Sequence, residues 1–284
     1  ATEMLGVCVT GQIWVQVPRT LCMHWRGRLA AGVSAKDMML HMIGRFGMNG
    51  GQYQAVEFAG EAVHALSMPE RMTLANMSAE MGAQAGLIAA DATTVAHLRE
   101  CGVAEARLAD ALQWHSDEGA EQERFDFDAA TLAPQVAAPH SPANTRAVTE
   151  LGSVVPTIAY IGACTGAKLE DLRAAAQVLR GHKVASGMQL LVAPASAREQ
   201  AQAEREGVMQ TLRDAGAQVL PNSCGACAGY GATFAEGDTV ISSTARNFKG
   251  RMGPASVQVY LASPYTVAAS ALRGRISDPR EVLA

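Results

Sequence analysis

Three cysteines carry the most legible chemistry in this chain: Cys164 in IGACTGAKLEDLR, and Cys224 with Cys227 in PNSCGACAGYG. The later two are spaced C-x-x-C, and Cys164 lies 60 residues upstream of Cys224. Three thiolates hold three corners of a four-iron cluster and leave one iron without a protein ligand, whereas clusters used only for electron transfer usually have four cysteines. An iron with an open position binds a hydroxyl and acts on it as a Lewis acid. The pattern therefore points to chemistry on a hydroxy acid. A lone C-x-x-C is shared with zinc and redox sites. A zinc ribbon wants a second C-x-x-C, and a thioredoxin-like dithiol sits without a third cysteine. The competing class is a non-catalytic iron–sulfur or zinc-binding protein, a sensor or scaffold. Cys8, Cys22 and Cys101 lie among apolar residues and read as buried small hydrophobes.

Two further groups of residues suit such a site. Arg246 and Arg251 bracket a glycine-containing turn in ARNFKGR. Each guanidinium fork takes a carboxylate bidentately, although a solvated basic loop has the same composition. In MTLANMSAEMGAQAG, Asn76 and Glu80 are spaced i, i+4 and share one helix face. Their neighbours are small or apolar, so this face reads as buried, and a buried glutamate needs a partner or a role. The other reading is an ordinary surface glutamate. The seven histidines are scattered, and His140 reads as structural.

The elements that must position these residues follow from periodicity. Residues 12–29 alternate apolar and polar and read as two strands, with Pro18 making the first an edge. Residues 34–46 read as a helix with Ser34 as N-cap. QAVEFAG is a short strand, Ser67 to Gly86 a helix with Pro69 in its first turn, and 92–100 another helix. From Ala104 to about Pro142 the sequence turns acidic, Ala-rich and Pro-containing, a helix and then a linker. Beyond it strands alternate with helices: VPTIAYIGA, LEDLRAAAQVL, QLLVAPA, SAREQAQAEREGVMQTLRDAG, AQVLPN, TVISST, SVQVYLAS and SPYTVAASALRG. Strands separated by helices mean parallel β-α-β units. Both cysteine motifs follow an expected strand, and the carboxyl ends of parallel strands form the binding crevice of open α/β sheets.

Composition narrows the class. The chain has 284 residues, 49% hydrophobic and 18% charged, enough for about two domains with sizeable cores. A net charge of −4 argues against nucleic acid as a partner. No apolar run approaches the roughly 20 residues that span a bilayer, so no membrane partner is expected. Six cysteines without a signal peptide favour a reducing compartment, the cytoplasm. The chain opens with Ala1 rather than Met and enters abruptly in a small-residue helix or turn, as if a piece upstream were missing.

Taken together, these motifs resemble the aconitase superfamily, and most closely large subunits of the isopropylmalate isomerase type. IGACTGAKLEDLRAAAQVLRGHKVA is similar to that family's Cys-Thr-Asn-Ser loop and following helix, and PNSCGACAGYG to its Cys-x-x-Cys-x-Gly loop. STARNFKGRMG is similar to its Asn-Arg-Asn-Phe-x-Gly-Arg loop, and EFAGEAVHALSMPERMTLANMSAEMGAQAGLIAAD to its helix bearing Asn and Glu. The resemblance implies an α/β fold of three-layer α/β/α domains with mostly parallel sheets. Residues 1–128 would complete a first domain and form a second, and residues 129–284 would form a third that carries the cluster cysteines. It implies a [4Fe-4S] cluster on Cys164, Cys224 and Cys227, with Arg246 and Arg251 on substrate carboxylates. Asn76 and Glu80 would lie near the open iron, Glu80 passing a proton to the departing hydroxyl. The activity implied is a hydro-lyase on a small hydroxy di- or tricarboxylate. It also implies partners: a small swivelling subunit that carries the base serine, and an N-terminal domain or chain that precedes Ala1. Two departures stand out. The loop reads Cys164-Thr165-Gly166-Ala167, and Ala245 replaces the Asn before the first arginine. Lost donors near a cluster change its potential, and a malate or methylated malate becomes an alternative substrate.

Overall fold

The computed structural model describes residues 2–117, 119–230 and 234–283. Helix α1 (Thr2–Thr10) buries none of its residues. The first expected strand does not form: residues 12–19 are irregular, and Ile13, Trp14, Val15 and Val17 are exposed. Pro18 has no N–H to give a ladder, and pairing starts only with strand β1 (Thr20–Arg26), whose Leu21, Met23 and Trp25 share a buried face. Helix α2 (Ala35–Phe46) begins at Ser34, where Asp37 closes a capping box. Strand β2 (Ala55–Ala59), a single helical turn α3 (Glu61–His64) and helix α4 (Met68–Met77) follow, the last with Pro69 in its first turn as expected.

The helix expected to reach Gly86 ends at Met77 and tightens into a 3₁₀ turn, Ser78–Met81. Gly82 takes a left-handed φ of 78°, and the chain returns as strand β3 (Ala85–Leu87). Gly86 packs directly against α4, where a Cβ would come within 2.3 Å of Ser78 Oγ. Helices α5 (Ala92–Glu100) and α6 (Glu105–Ala111) come next. The stretch read as a linker then contributes strand β4 (Glu123–Asp128) to the first sheet. Its acidic residues obscured an inward pair, Phe125 and Phe127, and Phe127 stacks on Trp25 with centroids 4.5 Å apart.

Strands β5 (Gln135–Ala137) and β6 (Thr145–Ala147) are short and were not anticipated. Then come strand β7 (Ile158–Ile161), helix α7 (Leu169–Leu179) and strand β8 (Gln189–Val192). The single long helix expected after β8 is two, α8 (Ala197–Arg205) and α9 (Val208–Ala215), because Gly207 between them is left-handed at φ 73°. Strands β9 (Ala217–Val219), β10 (Thr239–Ser242) and β11 (Gln258–Ala262) follow. Helix α10 (Pro264–Arg273) and the short α11 (Arg280–Leu283) close the chain.

The strands form two sheets, one ordered β3-β2-β1-β4 and parallel throughout. The other is ordered β6-β5-β11-β10-β7-β8-β9, with parallel pairing from β11 to β9 and antiparallel pairing only at β5 and β6. The fold is therefore α/β with mostly parallel sheets. Side chains of the second sheet alternate between two cores. Ile158, Tyr160, Val240 and Leu261 join α2, α4 and the first sheet. Ala159, Ile161, Ile241 and Ala262 join α7, α9 and α10. Burial on both faces is what a parallel sheet requires. None of the described helices is long and apolar enough to cross a membrane.

From β7 the chain steps outward through β8 to β9, then returns to the other side of β7 as β10. The loops after β7 and β10 thus diverge at a topological switch point, where open parallel sheets form their crevice.

Candidate functional site

The loop after β7 carries Cys164 and is pinned to the end of β10. Ser243 Oγ accepts from Gly162 N at 3.0 Å and donates to Gly166 O at 2.9 Å. A Cβ on Gly166 would lie 2.2 Å from Ser243 O. The glycine that departs from the family pattern is thus a packing requirement of this loop. Ala167 is fully buried in the core beneath it. Ala163, just before the cysteine, sits at φ 68°, a costly conformation for a residue with a Cβ. It leaves Cys164 exposed, with Asn76 Nδ2 of α4 donating to its sulfur at 3.6 Å. Lys168 closes the loop by donating from Nζ to Cys164 O at 3.2 Å and to Thr73 Oγ1 at 2.9 Å.

Cys224 and Cys227 flank a 3₁₀ turn, Gly225–Ala228, in which Cys227 N donates to Cys224 O at 3.0 Å. Gly231, the last residue of that motif, lies outside the described residues. Burial pushes the Cys227 thiol up, and an Arg251 hydrogen bond with the charges of Arg251 and Lys36 works against that rise. Cys164 lies near enough to Cys227 for its charge to be felt there. All six cysteines are free thiols. Of the three read as buried hydrophobes only Cys22 is buried, because Cys8 and Cys101 sit on helical segments whose outer faces no element covers.

The loop after β10 supplies the arginines. Arg246 Nε donates to Glu80 Oε1 at 2.5 Å, joining residues 166 apart in the chain. The Glu80 side chain is 2% exposed and that of Arg246 is 42% exposed, so the guanidinium reaches from a buried carboxylate to the open crevice. Hydrogen bonding to Glu80 raises the Arg246 pKa. Asn247 anchors the same loop through Nδ2, which donates to Ala138 O at 2.8 Å and Val259 O at 3.1 Å. Glu80 stands in the 3₁₀ turn after α4 rather than on a helix with Asn76, yet both reach the second sheet.

The structure therefore gathers Cys164, Cys224, Cys227, Asn76, Glu80, Arg246 and Arg251 around one end of the second sheet. Among the described residues, buried side-chain atoms without a partner include Glu80 Oε2, Tyr160 Oη, Thr165 Oγ1 and Arg251 Nε. Each belongs to this site or adjoins it. Unpartnered buried polar groups are rare and costly, so their concentration here fits a polar group that the described residues do not supply. Among the described residues no three His, Cys, Asp or Glu converge as ligands of one metal ion do. Cysteines of an iron–sulfur cluster bind different irons and stand further apart. Three thiols, two of them met by a donor, Asn76 at Cys164 and Arg251 at Cys227, fit such a cluster.

Residue patterns alone missed two lysines. Lys36 of α2 is 2% exposed, and its Nζ donates to Ser243 O at 2.5 Å and Thr244 O at 2.7 Å. Burial lowers its pKa to about 8. With Lys168 it clamps the loops that carry Arg246 and Cys164. The available signal was its place in AKDMML, where α2 is apolar on nearly every side and a lysine must find a buried partner.

The model of the Aconitase family (aconitate hydratase) matches residues 1–156 and 150–274. The chain is 42% identical over 282 residues to the 3-isopropylmalate dehydratase large subunit of Oleidesulfovibrio alaskensis, covering 99% of this chain and 66% of that protein. It is 41% identical over 285 residues to the same subunit of Moorella thermoacetica, covering 100% of this chain and 66% of that protein. The large subunit 1 of Pyrococcus furiosus is 39% identical, again over 100% of this chain and 66% of its own length. The chain thus spans 66% of the length of these relatives. With this match along its whole length, and with that family's cysteine, arginine and glutamate motifs meeting at one sheet end, the chain belongs to the aconitase family.

Proposed function

We propose that this chain is the cluster-bearing part of a hydro-lyase large subunit acting on a small hydroxy dicarboxylate of the isopropylmalate, malate or methylmalate type. One observation carries the reading. The Asn76–Cys164 and Glu80–Arg246 contacts bring residues of the first sheet's helices onto the cysteine and arginine loops at the switch point of the second. Cys164, Cys224 and Cys227 would hold a [4Fe-4S] cluster, which supplies a Lewis acid for the substrate hydroxyl. Arg246, its Nε fixed by Glu80, keeps its outer nitrogens for a substrate carboxylate, and Arg251 serves a second carboxylate or steadies Cys227. Glu80 moves the proton of the departing water through Oε2, which no described residue engages. Asn76 orients Cys164. Residues 1–128 would complete a first domain and form a second, and residues 129–284 would form the third, which carries the cluster cysteines. A small subunit would close the site, as the large-subunit names of the relatives suggest. The cytoplasm is the compartment that keeps such thiols reduced.

The test is anaerobic loading of the chain with iron and sulfide. About four of each per chain are expected, with loss of the cluster in Cys164→Ser, Cys224→Ser or Cys227→Ser. Hydration of unsaturated diacids is then assayed with a small subunit of the isopropylmalate dehydratase type added. A chain that loads no cluster overturns the reading. One that loads it and stays inert with a full set of partners and diacids belongs to the sensor or scaffold class.

A further inference from the structure

Tyr160 is fully buried on β7, and its hydroxyl has no hydrogen-bond partner among the described residues. The ring faces the same core as Ala226, which stands between the two cysteines of the C-x-x-C turn. Phe234 meets it edge-on, with centroids 6.4 Å apart. A Cβ on Gly162 would lie 2.4 Å from Tyr160 Oη, and one on Gly225 3.5 Å from it. Those glycines are two residues before Cys164 and next to Cys224, so the hydroxyl emerges between the two cysteine loops. Burial, with the charges of Cys227 and Cys224 added, raises its pKa, and the phenol stays protonated. A buried hydroxyl left unpaired is costly, a cost that phenylalanine of the same shape avoids. Among the described residues nothing accepts from this donor, and it faces the space between the cysteines, where a bound group would accept it.

We propose that Tyr160 Oη donates a hydrogen bond to a sulfur of the iron–sulfur group held by Cys164, Cys224 and Cys227, and thereby sets its reduction potential. The inference rests on the cluster reading above. Donation to sulfur stabilises the more negative, reduced state and raises the potential.

The experiment compares the full chain with its Tyr160→Phe variant, both loaded anaerobically. Midpoint potentials are titrated by visible and electron paramagnetic resonance spectra, and melting is followed without the cluster. A hydrogen bond of about 1 kcal/mol corresponds to about fivefold in the oxidised-to-reduced ratio, or about 40 mV for one electron. The expected result is a potential lower by that amount in Tyr160→Phe, with melting of the cluster-free chain unchanged or raised. Equal potentials overturn the inference while leaving the cluster reading intact. Melting several degrees lower without the cluster also overturns it, because the hydroxyl then has its partner within the chain. A wild-type chain that takes up no iron and sulfide overturns both.

Discussion

At Arg246, shape matters as much as charge. Lysine keeps the positive charge and loses the fork, which here must hold Glu80 through Nε and still present nitrogens to the crevice. In the partnered enzyme Arg246→Lys is expected to lower kcat/KM by about 100-fold, roughly 3 kcal/mol of transition-state binding. Its melting temperature should stay within a few degrees of wild type. Unchanged turnover removes Arg246 from the site. A second arginine, away from the candidate site, is expected to contribute to acid stability. Arg71 is 2% exposed and donates to both oxygens of Asp91 at 2.7 Å. Its guanidinium holds the Asp91 carboxyl well below the usual carboxylate range. A depressed carboxylate pKa gives stability that is complete above the unfolded value near 3.8 and is lost as pH falls through the folded one. Asp91→Asn keeps the α5 cap and removes the charge. It should cost about 3 kcal/mol at pH 7, because Arg71 is left buried and unpaired. Denaturant melts should show the deficit shrinking below pH 4. A deficit independent of pH would mean that the charge is not what stabilises. The candidate-site cysteines and arginines stood out in the sequence because their types are few and their spacing is tight. Lys36 and Lys168 did not, because a lysine gives no sign in sequence of the backbone carbonyls it will meet from another element.

Elements rather than side chains decide how the cysteine loop closes. The Gly166 turn lies so close to β10 that any Cβ there meets a backbone oxygen, which cannot rotate away. Gly166→Ala is expected to destabilise the chain by about 2 kcal/mol through overpacking. The damage should be local, with faster cluster loss in air and the α7 amides still protected from hydrogen exchange. Normal stability and cluster retention would show that the loop yields. Periodicity revealed α2, α7 and α10, whose apolar faces are long enough to declare themselves. It overran α4, because the turn to 3₁₀ at Ser78 follows from Gly82 and from the contact of Gly86 with the helix beneath it. It also missed β4, where ERFDFD reads as acidic linker until Phe125 and Phe127 are seen to face Phe46 and Trp25. Strands β5 and β6 are three residues each, too short to show a period.

On the scale of the whole molecule, the proposal sets this chain beside partner chains that would close the crevice. Glu80, the arginines and the cysteine loops form one side, and the chain spans 66% of the length of its relatives. An unclosed site leaves charges in water, where they act weakly. The cluster-loaded chain alone is therefore expected to hydrate no unsaturated diacid at an enzymic rate, and activity should appear on adding the proposed partner chains. Robust turnover by this polypeptide by itself would contradict the proposal that partners complete it. The order of the second sheet was readable from its alternating strands and helices. The meeting of the two sheets around α2 was not, because no local pattern records which far element a helix will touch.

The centre is also a matter of timing. Its defining contacts join residues 88, 166 and 207 positions apart: Asn76 to Cys164, Glu80 to Arg246, and Lys36 to Ser243. Contacts of such high order form slowly, since the entropy of closing long loops is spent before they give anything back. During synthesis, α2 and α4 emerge long before the loops they must clamp, and for that interval Lys36 and Glu80 have no partners. On the proposed reading, cluster loading would meet a finished polypeptide rather than a growing one, and contacts of this sequence separation would make the centre depend on the integrity of the whole chain.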